Sequence, residues 1–186
     1  TDPEIRAAAS TGVGAVVTDP PYGMRLDTDY ASRPLSAAAQ KKHPTQRSYR
    51  PVIGDNADYD PTPVLDMFRD VDEVFLWGGD YFAKHLPAGG SWLVWDKREG
   101  IEGVEYSSSS FELCWSKQMH RRDIIRARWF GLCGMEREDT AKRVHPTQKP
   151  AGVIRWIIEH HVAEGGIVWD GFAGSGTTLI ACAETG

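Results

Sequence analysis

The run Ala15-Val16-Val17-Thr18-Asp19-Pro20-Pro21-Tyr22 joins a buried-strand pattern to an abrupt stop. Three consecutive apolar residues read as a short strand covered on both faces. Asp19 then stands where that strand ends, and two prolines prevent further sheet pairing. In open α/β sheets, ligands bind beyond the carboxyl ends of the strands. Tyr22 adds an aromatic face beside an acid and a rigid proline carbonyl, and Gly23 lets the chain turn away. An acceptor, a fixed carbonyl and a ring suit a planar substrate that carries an amino group.

Outward from this point the chain alternates strands and helices. Residues 3–10 suit a short helix ahead of the first strand. Residues 24–50 carry little periodicity and read as a long loop, the kind that often serves as a lid or binding segment. Pro61 or Pro63 opens a helix through Val64, Leu65, Met67 and Phe68. Glu73–Trp77 is a strand, and Asp80 is placed to cap a helix over Tyr81–Leu86. Ser91–Trp95 is the next strand. This alternation predicts a parallel α/β sheet. Phe111–Trp115 and Ile124–Phe130 read as two further strands, pairing antiparallel at one end of the sheet. Pro150 opens a helix with Val153, Ile154, Ile157 and Ile158 on one stripe. Ile167–Trp169 is a last strand, ending at Asp170.

Composition bounds the class. With 186 residues the chain suits one well-cored domain, and we read residues 1–186 as such, with truncation at either end left open. No apolar run approaches the roughly 18 residues of a membrane span, so no membrane partner is expected. Cys114, Cys133 and Cys182 are scattered without CxxC spacing, which argues against a zinc site or a disulfide framework and favours a reducing cytoplasm. Adjacent His160 and His161 face apart, so no metal is expected there. The net charge of -5 does not advertise a polyanion partner, so charge placement matters more than the sum. Basic residues gather at Arg33, Lys41, Lys42, Arg47 and Arg50, and again at Lys117, His120, Arg121, Arg122, Arg126 and Arg128.

The second chemical signal is Asp170-Gly171-Phe172-Ala173-Gly174-Ser175-Gly176-Thr177-Thr178. A strand ends in an acid, and a glycine-rich turn leads into a helix whose free N–H groups favour an anion. It lacks the lysine of a phosphate loop and does not match GxGxxG. Taken with Asp19–Tyr22 and with His145-Pro146-Thr147-Gln148-Lys149-Pro150, it resembles the amino-group DNA methyltransferases that use S-adenosylmethionine. The catalytic motif precedes the cofactor motif, as in the family's β-type order. The resemblance spans roughly residues 14–183. It implies a three-layer Rossmann-like methyltransferase sheet, mostly parallel, and methylation of an exocyclic amino group of a DNA base.

Within that resemblance, Asp19 and the Pro20 carbonyl accept the two N–H groups of the target amine, and Pro21 and Tyr22 complete the motif. Tyr22 stacks on a base flipped out of the duplex. Phe172, Gly174 and Gly176 lie along the methionine part of the cofactor. Asp170 pairs with its ammonium, the alternative being a turn or helix-capping role. Thr177 and Thr178 receive its carboxylate, and Lys149 and Pro150 flank the same pocket. Lys41, Lys42, Arg121, Arg122, Arg126 and Arg128 are candidates for DNA phosphate contact. Asp at the first motif position favours adenine N6 over cytosine N4. An RNA methyltransferase and a catalytically silent binding module are the alternatives. The family continues past the glycine-rich helix with strands that hold the cofactor's nucleoside. Here that half is expected from a second chain or a further segment, or is absent.

Overall fold

Successive residues of a strand point to opposite faces, so a strand buried on both needs a covering layer on each side. The computed structural model, which describes residues 4, 7, 11–29, 32, 48–100, 109–129 and 144–186, has this arrangement. Its elements are β1 (Val13–Thr18), α1 (Thr62–Met67), β2 (Glu73–Trp77), a 3-10 turn (Ala83–His85), β3 (Ser91–Asp96), β4 (Phe111–Ser116), β5 (Ile124–Arg126), α2 (Ala151–His161), β6 (Ile167–Trp169) and α3 (Thr177–Thr185). Val17 of β1 and Phe75 and Trp77 of β2 face the layer of α2 and α3, against Val153, Ile154, Ile157 and Ala181. Val16, Val74 and Leu76 face the other way, onto Val64 of α1, its C-cap Phe68 and Phe82. Two helical layers thus enclose one sheet.

Among the described residues six strands run in the order β5-β3-β4-β2-β1-β6. β1 pairs parallel with β2 and with β6, and β3 pairs parallel with β5. β4 is antiparallel to both of its neighbours, β2 and β3. Five strands therefore share one direction and β4 alone is reversed, a mostly parallel three-layer sheet of the expected class. The expected pairing of the 111–115 and 124–130 strands does not occur. Both edges of β4 are taken by β2 and β3, so β5 joins the outer edge of β3.

Two local expectations are corrected. Asp80 caps no helix; only the turn Ala83–His85 forms, with no side-chain cap. Gly78 and Gly79 precede it and Pro87 follows, so few residues are left to propagate a helix. Tyr81 is instead drawn onto Tyr22, ring centroids 4.7 Å apart and 12° from parallel. The strand expected over 124–130 stops at Arg126 because the indole Nε1 of Trp95 donates to the Ala127 carbonyl at 2.8 Å, diverting it from the ladder. The helix expected over 3–10 lies largely outside the described residues, as does much of the 24–50 loop.

Pro150 is the N-cap of α2, with extended backbone. From there Val153, Ile154, Ile157 and Ile158 form the buried stripe that the sequence spacing predicts. No described helix is long and apolar enough to cross a membrane. Ile157 is fully buried between sheet and helix, whereas Leu179 of α3 is 69% exposed. Ile157→Ala is expected to lower stability by about 3 kcal/mol in urea unfolding, and Leu179→Ala to change it by less than about 0.5 kcal/mol.

Candidate active site

β1 and β6 are adjacent and parallel, with Val16 opposite Trp169, so their carboxyl ends deliver Asp19 and Asp170 side by side. Thr18, the last residue of β1, is buried and donates through Oγ1 to Asp170 Oδ1 at 2.6 Å. The Phe172 N–H donates to the same oxygen at 3.0 Å, and Thr178 Oγ1 donates to Oδ2 at 2.7 Å. The Asp170 carboxylate thus joins both strand ends to the first turn of α3, the turn and capping role. A carboxylate accepts about four hydrogen bonds, so among the described residues one position on Oδ2 is left for a cationic group.

Asp19 lies at the centre of a buried polar cluster. Its Oδ1 accepts the Tyr22 hydroxyl at 2.5 Å, and its Oδ2 pairs with Lys149 Nζ at 2.5 Å. Lys149 Nζ also donates to the Tyr22 hydroxyl oxygen at 3.2 Å and lies 3.1 Å from Glu112 Oε2. The other Glu112 oxygen is held by Lys97. Burial pushes the Asp19 carboxyl up from the ordinary range, Glu112 adds to this, and Lys149 opposes it. Burial alone would lower Lys149, but the Asp19 and Glu112 carboxylates together hold it above the usual lysine value. For Glu112 burial acts upward, yet Lys149 and Lys97 bring it below the usual carboxylate range. Lys149 is therefore a cation at neutral pH and unsuited to act as a base. Burial and the adjacent Asp19 charge raise the Tyr22 hydroxyl well above normal, so it remains a donor.

The Tyr22 ring rests on Tyr81 and over Gly78. Gly78 has φ +69, and a Cβ there would lie 2.0 Å from Tyr22 Cε1, so only glycine fits beneath the ring. Beyond Tyr22 the backbone is pinned by Asp55, whose carboxylate accepts the Met24 N–H at 3.1 Å and the Leu26 N–H at 2.7 Å. A cleft of about 730 Å³ opens between this segment and the glycine-rich turn. Asp19, Pro20, Pro21, Tyr22, Lys149, Asp170, Phe172, Gly174, Thr177 and Thr178 all line it. Gly176 and Pro150 do not line it; they are the N-caps of α3 and α2. Gly176 is left-handed and offers no side-chain cap. The first-turn N–H groups of α3 thus have no acceptor within the helix and border the cleft.

The basic residues divide. Val94 registers with Ile124 and Asp96 with Arg126, so Arg126 and Arg128 follow β3 toward the end of the sheet that carries the cleft. Arg121 and Arg122 follow His120, which is bonded to Ser91 at the opposite end. None of the four lines the cleft. Lys41 and Lys42 lie outside the described residues. The sequence motifs did not point to Thr18, Asp55, Tyr81, Lys97 or Glu112 as parts of the site. Thr18 was the detectable one, a polar residue ending an apolar strand directly before the acid.

Truncating Lys149 would leave Asp19 and Glu112 buried without their shared cation. Lys149→Ala is expected to destabilise the fold by about 3 kcal/mol in urea unfolding, in line with breaking a buried ion pair from one side.

The sequence model of the N6/N4 methyltransferase family, described as DNA methylase, matches residues 36–186, beginning after Asp19–Tyr22. Among solved structures, the chain is similar to M1.HpyAVI, at 19% identity and a TM-score of 0.45, covering 92% of this chain and 76% of that one. It is also similar to an M1.HpyAVI–SAM complex, at 17% identity and a TM-score of 0.48, covering 97% and 83%. The family match takes in most of the sequence, including the Lys149 segment, β6 and the glycine-rich turn that carry the cleft, and on that ground the chain belongs to the N6/N4 DNA methylase family.

Proposed function

We propose that this chain methylates the N6 amino group of adenine in DNA, with S-adenosylmethionine as methyl donor. The observation that carries the reading is that the strand-end Asp19 and the glycine-rich turn Asp170–Thr178 open into one cleft. Its size falls within the range of ordinary small-molecule sites. The cleft also suits an amino-acid zwitterion, with the free acceptor position of Asp170 near the N-terminus of α3. Asp170 would take the ammonium of the donor, Thr177, Thr178 and the helix N-terminus its carboxylate, and Phe172, Gly174 and Gly176 would border its chain. When bound, S-adenosylmethionine supplies a methyl group already activated on a sulfonium.

The chain's own residues prepare the acceptor. An exocyclic amino nitrogen shares its lone pair with the ring and is a poor nucleophile. Asp19 and the Pro20 carbonyl accept its two N–H groups and so direct that lone pair into the cleft. To do this Asp19 Oδ1 must exchange the Tyr22 hydroxyl for the amine, while Lys149 keeps hold of Oδ2. The upward pull of burial on Asp19 makes it a better acceptor for the proton the amine must lose. Tyr81 is 53% exposed and can yield its place on Tyr22 to a flipped base. Arg126 and Arg128, directed toward the cleft end of the sheet, are our candidates for phosphate contact. Asp rather than Ser at position 19 favours adenine over cytosine by the family resemblance.

Residues 1–186 act in this reading as one domain. The outer edge of β6 is unpaired among the described residues, and Ile167 on it is 57% exposed. A second chain or further segment would cover that edge and complete the nucleoside end of the cleft. In this reading the scattered cysteines belong to a reducing cytoplasm.

Asp19→Ala is expected to lower methyl transfer to duplex DNA by about 10³-fold, the scale of losing one preorganised polar partner. Its circular dichroism and its calorimetric affinity for S-adenosylmethionine should match the parent chain. Turnover at the parent rate would sink the assignment. Mass analysis of nucleosides from treated DNA is expected to show N6-methyladenine; N4-methylcytosine would reassign the base. Failure of the parent chain to bind S-adenosylmethionine at millimolar concentration would leave the silent module as the better reading.

A further inference from the structure

We propose that Glu73, His120 and His161 form a binding site for one divalent transition ion of the zinc type, at the end of the sheet opposite the cleft. Three elements converge there. Glu73 opens β2, His120 lies in the turn after β4, and His161 closes α2. One donor atom from each lies within 4.8 Å of the other two. A tetrahedral ion with bonds of about 2.0–2.1 Å needs donors about 3.4 Å apart, so modest side-chain rotation closes the set. Two imidazoles and a carboxylate suit zinc rather than magnesium or calcium, and they leave a fourth position for water.

Two observations point to an ion rather than to a simple polar contact. His120 Nε2 and Glu73 Oε2 are already engaged at 2.9 Å. The remaining member, His161 Nε2, is buried with no hydrogen-bond partner among the described residues. A buried polar atom left unpaired is costly, and its lone pair is what a cation would use. The rings are also held in place. His120 stacks on Phe75 at 5.7 Å and 12°, His161 tilts onto the same ring at 5.1 Å, and the two imidazoles are 4.2 Å apart. The backbone at this point is fixed as well, since the His120 main-chain N–H donates to Ser91 Oγ at 3.0 Å. An ion bound at His120 Nε2 takes the place of that contact, and the neutral ring then carries its one proton on Nδ1.

The ion would clamp rather than catalyse. Glu73 and Trp77 are opposite ends of β2, roughly 13 Å apart at the rise of a strand, and Trp77 is the end near Asp19. α2 begins beside Lys149 in the cleft and ends at His161. An ion at His161 therefore fixes the far end of the helix that follows the cleft lysine. His160 is not part of the set, since its Nδ1 is bonded to the Trp156 carbonyl at 2.8 Å and its ring stacks on Trp156.

The test uses the full chain without an affinity tag, stripped with chelator and titrated with zinc sulfate by calorimetry. One equivalent is expected to bind, and tenfold excess over the dissociation constant should raise the unfolding midpoint by about 4 °C. His161→Ala should weaken binding at least about tenfold, while His160→Ala should leave it unchanged. Because His161→Ala could perturb folding, the parent chain is also followed by histidine ring proton resonances. Those of His120 and His161 should shift to completion at one equivalent, and those of the other histidines should not. Binding of less than a tenth of an equivalent overturns the site. So do unchanged affinity in a folded His161→Ala and a response confined to other histidines. None of these readouts depends on methyl transfer.

Discussion

A single buried ammonium, Lys149 Nζ, ties together parts of the chain that lie far apart in sequence. It pairs with Asp19 at the end of β1 and with Glu112 on β4, and it reaches the Tyr22 hydroxyl. Burying one cation beside two carboxylates is tolerable only when each charge is matched, and Lys97 supplies the second cation that Glu112 requires. The network places a negative group at a strand end and keeps it oriented. It also keeps a cation close to the acid without making that cation a base. The cost of opening the cluster limits where the backbone of Asp19–Tyr22 can settle.

Asp170 plays the matching part for the other half of the cleft. By accepting from Thr18, Phe172 and Thr178 it fuses the ends of two adjacent parallel strands to the start of α3. The glycine-rich turn can then remain open at the helix N-terminus. Gly176, left-handed and without a side chain, starts the helix without covering its N–H groups. Asp19 is thus held by ions and Asp170 by neutral donors. This asymmetry suits the proposed role of Asp19, which would exchange a partner, while Asp170 mostly holds structure.

Much of the fold was legible because its signals are local. Apolar runs marked β1, β2 and β6 with little error, and the stripe Val153, Ile154, Ile157, Ile158 marked α2, since each pattern is set by the geometry of its own element. The reversed strand β4 was legible as a strand but not as a neighbour of β2, because pairing partners are chosen across space by which edges are free. The helix expected at Tyr81–Leu86 failed for a similar reason. Tyr81 gains more from stacking on Tyr22 than six residues between glycines and a proline gain from a helix.

For the site, the sequence alone determined the two strand-end acids, the glycine-rich turn and the lysine segment, because these residue types are required where they stand by turn geometry and acceptor chemistry. Only the tertiary structure decided what each does. It spent three of Asp170's acceptor positions on Thr18, Phe172 and Thr178, and it set Glu112 and Lys97 behind Lys149. It also brought His120, His161 and Glu73 together from three elements. Such roles depend on which charges and lone pairs meet when separate segments pack. Nothing in the spacing along the chain encodes that, because the partners are chosen by the order of strands in the sheet.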